Sequence, residues 1–389
     1  MNLIASENAM SPAVRSFLGS DLEQRYGNYL GRNLGDRRHS GNRYIQQIEE
    51  NLTDIIREVL GAPEAELRAI SGHVAGLAVI MGLCRPGDTV LELSGPDGGH
   101  RLAAKAAESP LIELEIVPIP FQPTSYNIDA EATCGLVVER QPRLVILGSS
   151  NFLFPHPVKH LAACLSQSPR TVLAYDASHV LGLMACGEFQ DPLKEGAHVV
   201  FGSTHKTLPG PQGGLVLASD SHILDDISTA VCPGIVTNHH LTRSPALAVA
   251  LLEMRANRGY ARQVIKNAQC LGKRLSERGL SVVGAACGFS QSHTIIIAVG
   301  SLGTGKSVST LLEDSNIMTS YARLPAELGA EGVRLGTAEV TRHGANNEDM
   351  TSAADLIADV ILGQLSPPEA RDAVHAWAAR LKGLHYAEA

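Results

Sequence analysis

The feature that most constrains this chain is a series of short apolar runs separated by helix-length intervals. Thr89–Leu93, Leu144–Leu147, Val172–Tyr175, Val199–Gly202 and Leu215–Ala218 are strand-length, and most are followed by stretches long enough for a helix. A strand apolar on both faces fits a parallel sheet covered on both sides by helices, with ligands bound beyond the C-terminal strand ends. The predicted fold class is therefore α/β, with a large, mostly parallel sheet. Pro86-Gly87-Asp88 opens the first run with turn chemistry. From Arg43, the residues Tyr44, Ile45, Ile48, Leu52, Ile55, Ile56, Val59 and Leu60 recur at helical spacing and stop at Gly61. This predicts an amphipathic helix with glycine just past its end. Ser11-Pro12 reads as an N-cap followed by proline at the first helical position.

The 389 residues exceed the roughly 100–200 expected of one domain. After about Thr242 the pattern changes to a long helical stretch, Ala246–Arg278. A second group follows, with strands at Ser281–Val283, Thr294–Val299 and Val333–Gly336 and a helix at Met350–Leu362. The expected organisation is an N-terminal arm over 1–22, a large domain over 23–242, and an interdomain helix with a smaller α/β domain over 243–389. The net charge of −8 is spread without long same-sign blocks, which argues against nucleic acid or an anionic membrane as partner and favours small-molecule chemistry. Seven widely spaced cysteines without a C-x-x-C pair read as reduced core residues of a cytoplasmic protein rather than disulfides or metal ligands.

Chemistry concentrates in Phe201-Gly-Ser-Thr-His-Lys-Thr-Leu-Pro-Gly-Pro-Gln-Gly-Gly214, where Lys206 lies just past an apolar strand. Desolvation disfavours an ammonium and frees the amine to form a Schiff base. The hydroxyls of Ser203 and Thr204 and the loop amides suit a phosphate. Upstream, Asp176 ends another strand, with His179 three residues on. A carboxylate there pairs with a pyridinium nitrogen and keeps such a ring cationic; alone, it would more often be a helix N-cap.

Together with Leu3-Ile-Ala-Ser-Glu-Asn8, Gly98-Gly-His100 and Gly332-Val-Arg-Leu-Gly-Thr337, these motifs resemble the serine hydroxymethyltransferase superfamily in order and spacing over nearly the whole chain. The resemblance implies the aspartate-aminotransferase-like fold with its large, mostly parallel, seven-stranded-type sheet, pyridoxal 5′-phosphate as cofactor, a small amino acid as substrate, and a homodimer with shared active sites. By matching position it makes Lys206 the Schiff-base lysine, Asp176 the pyridinium partner and His100 the residue stacked on the ring. Ser71 and Gly72, with His73 beside them, and Ser203 fall around the phosphate. Ser150 and His179 match residues at the 3-hydroxyl. Arg334 matches the substrate carboxylate clamp with Ser6 beside it, and its planar fork suits that task. Tyr26 matches a tyrosine lent by the partner subunit. His179, His205 and Tyr26 are all candidates for moving the β-hydroxyl proton, and the sequence does not choose among them.

Departures from the family concern the carbon acceptor. Asn28 stands where enzymes using tetrahydrofolate carry a glutamate, and an amide cannot move a proton. Arg38-His39 replaces paired tyrosines, and Cys232-Pro-Gly-Ile-Val replaces a glycine-rich phosphate contact. These departures, with His205-Lys-Thr-Leu-Pro-Gly-Pro-Gln212, Val231-Cys-Pro233 and Gly288-Phe-Ser-Gln-Ser-His293, resemble L-threonine transaldolases. The expectation is thus retro-aldol cleavage of threonine and addition of another aldehyde, without tetrahydrofolate. The alternative is folate-dependent hydroxymethyl transfer from serine or α-methylserine. His39, Asn28 and Asn238-His-His240 are possible lining for the acceptor aldehyde, though exposed loop positions are the simpler reading.

Two readings come from other classes. Gly300-Ser-Leu-Gly-Thr-Gly-Lys-Ser307 satisfies the P-loop pattern after an apolar run, which taken alone predicts a nucleotide-binding protein. No strand ending in a magnesium-binding aspartate follows, so a small-domain helix capped by Thr304 or Ser301 is preferred. A protein that binds the cofactor without catalysis would have no need for a substrate clamp such as Arg334.

Overall fold

The computed structural model describes residues 1–109 and 112–387. Its principal sheet has seven strands in the order β1-β9-β8-β7-β6-β2-β3. These are β1 (Glu64–Glu66), β2 (Thr89–Glu92), β3 (Glu115–Pro118), β6 (Leu144–Leu147), β7 (Val172–Asp176), β8 (Val199–Ser203) and β9 (Gly214–Ala218). Strands β3, β2, β6, β7 and β8 run parallel, whereas β9 is antiparallel to both neighbours, β8 and β1. A two-stranded ribbon, β4 (Phe121–Gln122) with β5 (Asn127–Ile128), lies between β3 and β6 in the chain. The five apolar runs all form strands, because β6, β8 and β9 are buried at every position and cannot present a polar face.

The amphipathic helix spans Arg43–Leu60, and Gly61 ends it at φ +66°. Ser11 caps the helix Pro12–Ser16 by accepting from Val14 N. The predicted long helix is two helices, Arg243–Ala256 and Gly259–Glu277, because Asn257 leaves helical geometry at φ −116°, ψ 51°. The second sheet has the order β10 (Thr294–Ala298), β12 (Glu331–Gly336), β11 (Ser320–Arg323), all antiparallel. The strand expected at Ser281–Val283 is reduced to a single bridge from Val282 to Ile297, since Gly284 turns the chain at φ +74°.

The N-terminal residues are built into this second sheet. Leu3 N donates to Met318 O, Gly336 N donates to Leu3 O, and the Leu3 side chain is fully buried in the core formed by β10, β12 and their helices. A buried ion pair reinforces the attachment. Arg342 Nη2 lies 2.7 Å from Glu253 Oε2, and Arg342 also donates to the carbonyls of Ala9 and Tyr386. The seven cysteines are free, but only Cys84, Cys186 and Cys232 are buried; Cys287 is exposed, so the expectation that all are core residues fails. No helix among the described residues is long and apolar enough to cross a membrane.

Removing one member of a buried ion pair strands the other, at a cost of about 3–5 kcal/mol. Arg342→Leu is expected to lower stability by that amount in chemical denaturation, and Arg342→Leu with Glu253→Leu to recover most of it.

Candidate active site

The loops at the C-terminal ends of β2, β6, β7 and β8 converge on one cavity of about 260 Å³, which opens into a second of about 680 Å³. His100, Ser150, His179, His205, Lys206 and Gln212 line both. The smaller cavity adds Ser71, Gly72, His73, Asp176 and Ser203. The larger adds Ser6, Asn8 and Arg334, brought in from the arm and β12. Of the predicted site residues, Tyr26, Thr204 and the candidate acceptor residues Asn28, His39 and Asn238-His-His240 lie outside these cavities, and all the others meet in one place.

Each position has a local cause. After β2, Gly98 adopts φ +89°, and a Cβ at Gly99 would stand 1.9 Å from Leu93 O, so both glycines are needed to turn His100 toward the cavity. Ser149 Oγ and Ser150 N donate to Gly98 O and fix the loop after β6 beside it. The Lys206 loop is sewn down on all sides. Asn8 Nδ2 donates to the carbonyls of Lys206 (2.9 Å) and Thr207 (3.1 Å), and Thr207 Oγ1 donates to His179 O. A Cβ on Gly182 would stand 2.2 Å from the Thr207 carbonyl carbon, so the helix after His179 packs directly against this loop.

The small cavity has an anion-binding end. Ser71 caps the helix Gly72–Leu83, accepting from Val74 N at 3.1 Å, so the first amides of this helix have no intrahelical partner. Gly72 is required there because a Cβ would lie 2.7 Å from Ser203 N. His73 Nδ1 is 3.3 Å from His100 Nε2, which links the phosphate end to the face where a ring would stack. Thr204 does not take the predicted part. Its buried hydroxyl donates to Pro211 O at 2.6 Å.

At the other end, burial and the Arg334 guanidinium lower the Lys206 pKa while Asp176 opposes them. Arg334 is itself pushed down to about 10 by burial; its Nη1 donates to Ser150 O at 2.5 Å, and its Nε has no partner among the described residues. Burial lowers His179 well below the ordinary histidine range and brings His205, also near the Lys206 and Arg243 charges, down to about 4. Both imidazoles are therefore neutral at pH 7, and their buried Nδ1 atoms have no partner among the described residues. Neutral rings can accept a proton.

Tyr26 lines neither cavity; it is 61% exposed, with its ring edge against His39. Asn28, His39 and His240 are also outside both cavities. His239 is not an exposed loop residue: it is buried, with Nε2 2.5 Å from Glu49 Oε1. The P-loop-like segment enters the helix Gly305–Glu313 under a Thr304 cap, and the Glu331 carboxylate accepts from Gly305 N at 2.6 Å. A carboxylate thus holds the place a phosphate would need. Ser178 and Gln212 line the small cavity although sequence reasoning passed over them; both sit within motifs it quoted, beside Asp176 and Lys206.

The charges predict how Lys206 titrates in cofactor-free protein. Removing an anion that raises its pKa, in Asp176→Asn, moves the onset of aldehyde capture to lower pH. Removing a cation that lowers it, in Arg334→Met, moves the onset to higher pH. The pH dependence of the rate of pyridoxal capture measures both.

The Serine hydroxymethyltransferase family profile matches residues 1–357. The serine hydroxymethyltransferase of Methanopyrus kandleri is 42% identical over 375 residues, spanning 95% of this chain and 86% of that protein. That of Methanocaldococcus jannaschii is 38% identical over 396 residues, spanning 99% and 91%. Among solved structures, L-threonine transaldolase from Pseudomonas fluorescens superposes with a TM-score of 0.92 at 31% identity, covering 100% of this chain and 89% of that one. With its motifs converging on one cavity and its sequence matched from end to end, the chain belongs to the serine hydroxymethyltransferase family of pyridoxal-phosphate enzymes.

Proposed function

We propose that the protein cleaves and forms the Cα–Cβ bond of a small β-hydroxy-α-amino acid, and that its first substrate is serine, whose hydroxymethyl carbon passes to an acceptor. The carrying observation is the convergence of Lys206, Asp176 and Arg334, contributed by two sheets, in a chain 42% identical to a protein named serine hydroxymethyltransferase.

The residues present fit pyridoxal phosphate. Gly72 lets Ser203 close on the free helix amides, His179 and His205 carry buried nitrogens unpartnered among the described residues, and Lys206 shares the cavity with Asp176, whose charge acts on it. When bound, the cofactor supplies a cationic ring that takes up the electron pair released at the α-carbon. Ser71, Gly72, His73 and Ser203 would hold its phosphate, His100 its face, Ser150 and His179 its 3-hydroxyl edge, and Asp176 its ring nitrogen.

The rest of the work falls to the chain. The Arg334 guanidinium, anchored through Nη1 on Ser150 O, offers its unpartnered Nε side to the substrate carboxylate, with Ser6 at the same cavity. Fixing the carboxylate would fix the orientation of the bonds at the α-carbon, and orientation selects the bond that breaks. Neutral His205 or His179 takes the β-hydroxyl proton as the bond to Cβ breaks, or Tyr26 of a second copy relays it, giving up its own phenolic proton as it receives that of the substrate. Exposed Tyr26 (61%), Leu30 (61%) and Tyr44 (68%) support association of two copies through the face that carries them, with each Tyr26 directed at the partner's cavity.

A second reading is threonine transaldolation to another aldehyde. It is favoured by Asn28, whose buried Oδ1 is without a partner and which offers no carboxylate for proton transfer, and by the likeness to a protein named L-threonine transaldolase. Purified holoenzyme given serine with tetrahydrofolate, and separately threonine with a panel of aldehydes, separates the two. Glycine formed from serine only with the folate supports hydroxymethyl transfer; a new β-hydroxy-α-amino acid formed from threonine supports transaldolation. In either case Arg334→Met is expected to reduce kcat/KM by roughly 30-fold to several thousandfold, through loss of a charge-assisted pair worth roughly 2–5 kcal/mol.

A further inference from the structure

Two histidines meet behind the cavity. The rings of His179 and His293 stack with centroids 5.7 Å apart and planes 19° from parallel. His293 lines neither cavity and is fully buried just ahead of β10. Its Nε2 lies 2.9 Å from Ala5 O and 3.3 Å from Thr294 Oγ1. A backbone carbonyl can only accept, so Nε2 carries the proton and Nδ1 is the bare nitrogen. Burial holds the His293 pKa down to about 3, so the ring stays neutral across the working range.

The Ala5 contact matters because of where the arm runs. A Cβ on Gly336 would stand 2.3 Å from Ala5 Cα, and Gly336 N donates to Leu3 O at 2.8 Å. The arm therefore crosses β12 in direct backbone contact, two residues beyond Arg334. Ser6 follows immediately and enters the larger cavity beside that arginine. His293 itself is tied to the same strand end, its carbonyl accepting from Thr337 N at 3.0 Å. One imidazole thus touches the segment that presents Ser6 and, through its ring face, the histidine that follows Asp176 at the end of β7.

We propose that His293 is a positioning residue with two separable actions: its Nε2–H sets the arm that presents Ser6 to the substrate carboxylate, and its ring face sets His179 at the cofactor edge. This rests on the reading that the larger cavity takes a small α-amino acid. The geometry divides the two actions between different parts of the side chain. A glutamine can keep an N–H near Ala5 O without an aromatic face, and a phenylalanine can keep the face without the donor.

The test uses reconstituted holoenzyme and two equilibrium constants: glycine binding, from the change it causes in the visible absorption of the bound cofactor, and cofactor binding, from titration of the cofactor-free protein. Loss of a hydrogen bond worth about 1–1.5 kcal/mol predicts that His293→Phe weakens glycine roughly tenfold and leaves cofactor affinity within about twofold. Loss of a ring stack worth about 0.5–1.5 kcal/mol predicts the reverse for His293→Gln, with cofactor weakened about three- to tenfold and glycine nearly unchanged. Gly336→Ala displaces the arm without altering either ring and is expected to follow the phenylalanine pattern, so the arm is still tested if a His293 variant fails to fold. Both constants unchanged in the folded variants would overturn the proposal. So would both constants falling together in every variant in step with the thermal midpoint, the behaviour of a residue that only supports the fold. Glycine binding is read without turnover, so failure to cleave serine would remove the functional reading and leave this test standing.

Discussion

Lys206 is held in a place where its ammonium is disfavoured, and the charges that set this balance come from different sheets. Asp176 belongs to the end of β7, while Arg334 projects from β12 and anchors on Ser150 O beyond β6. An amine between an anion and a cation is sensitive to both distances, so the two sheets have to stay fixed relative to each other. Much of the polar chemistry around the site serves that end. Asn8 is the clearest case. Its amide donates to the carbonyls of Lys206 and Thr207 and to Tyr260 Oη, and Tyr260 Oη donates in turn to Ala338 O. A single arm residue thereby ties the lysine loop to the segment that follows β12.

The same dependence explains what sequence alone revealed. Strands β6, β7, β8 and β9 were legible because a run buried on both faces leaves no room for another pattern, and the helix Arg43–Leu60 because its apolar stripe is unbroken. The residue types of the site were legible as well, since Gly72 and Gly99 lie where backbone approaches too closely for any Cβ and Gly98 turns at φ +89°. Partners distant in the chain were not. Asn8 reaches Lys206 across 198 positions and His293 reaches Ala5 across 288, and nothing in a local pattern encodes such a pairing. His239 looked like one of two loop histidines, yet a carboxylate 190 residues away, Glu49, draws it inside.

The P-loop-like segment shows the opposite error, a local pattern with the wrong surroundings. Glycines, lysine and serine occur at the right spacing, and the helix begins where the pattern requires. What decides the matter is the charge already present: Glu331 accepts from Gly305 N, and Thr304 accepts from Ser307 N. A helix N-terminus attracts one anion, and here the chain supplies its own. At Gly72 the chain supplies only the Ser71 hydroxyl, which takes Val74 N and leaves the earlier amides for a ligand.

The segment carrying Tyr26, Asn28 and His39 lies outside both cavities and is anchored more firmly than its exposure suggests. Tyr29 is buried between two guanidinium groups, with Arg68 at 4.2 Å and Arg37 at 4.6 Å from its ring centre. Arg68 pairs with Glu66 and donates to the carbonyls of Tyr29 and Gly31, while Arg37 pairs with Glu49, which also holds His239. Cations stacked on an aromatic face and closed by buried carboxylates resist displacement, because breaking any one contact strands a charge. The segment therefore presents Tyr26 and Asn28 from a fixed base.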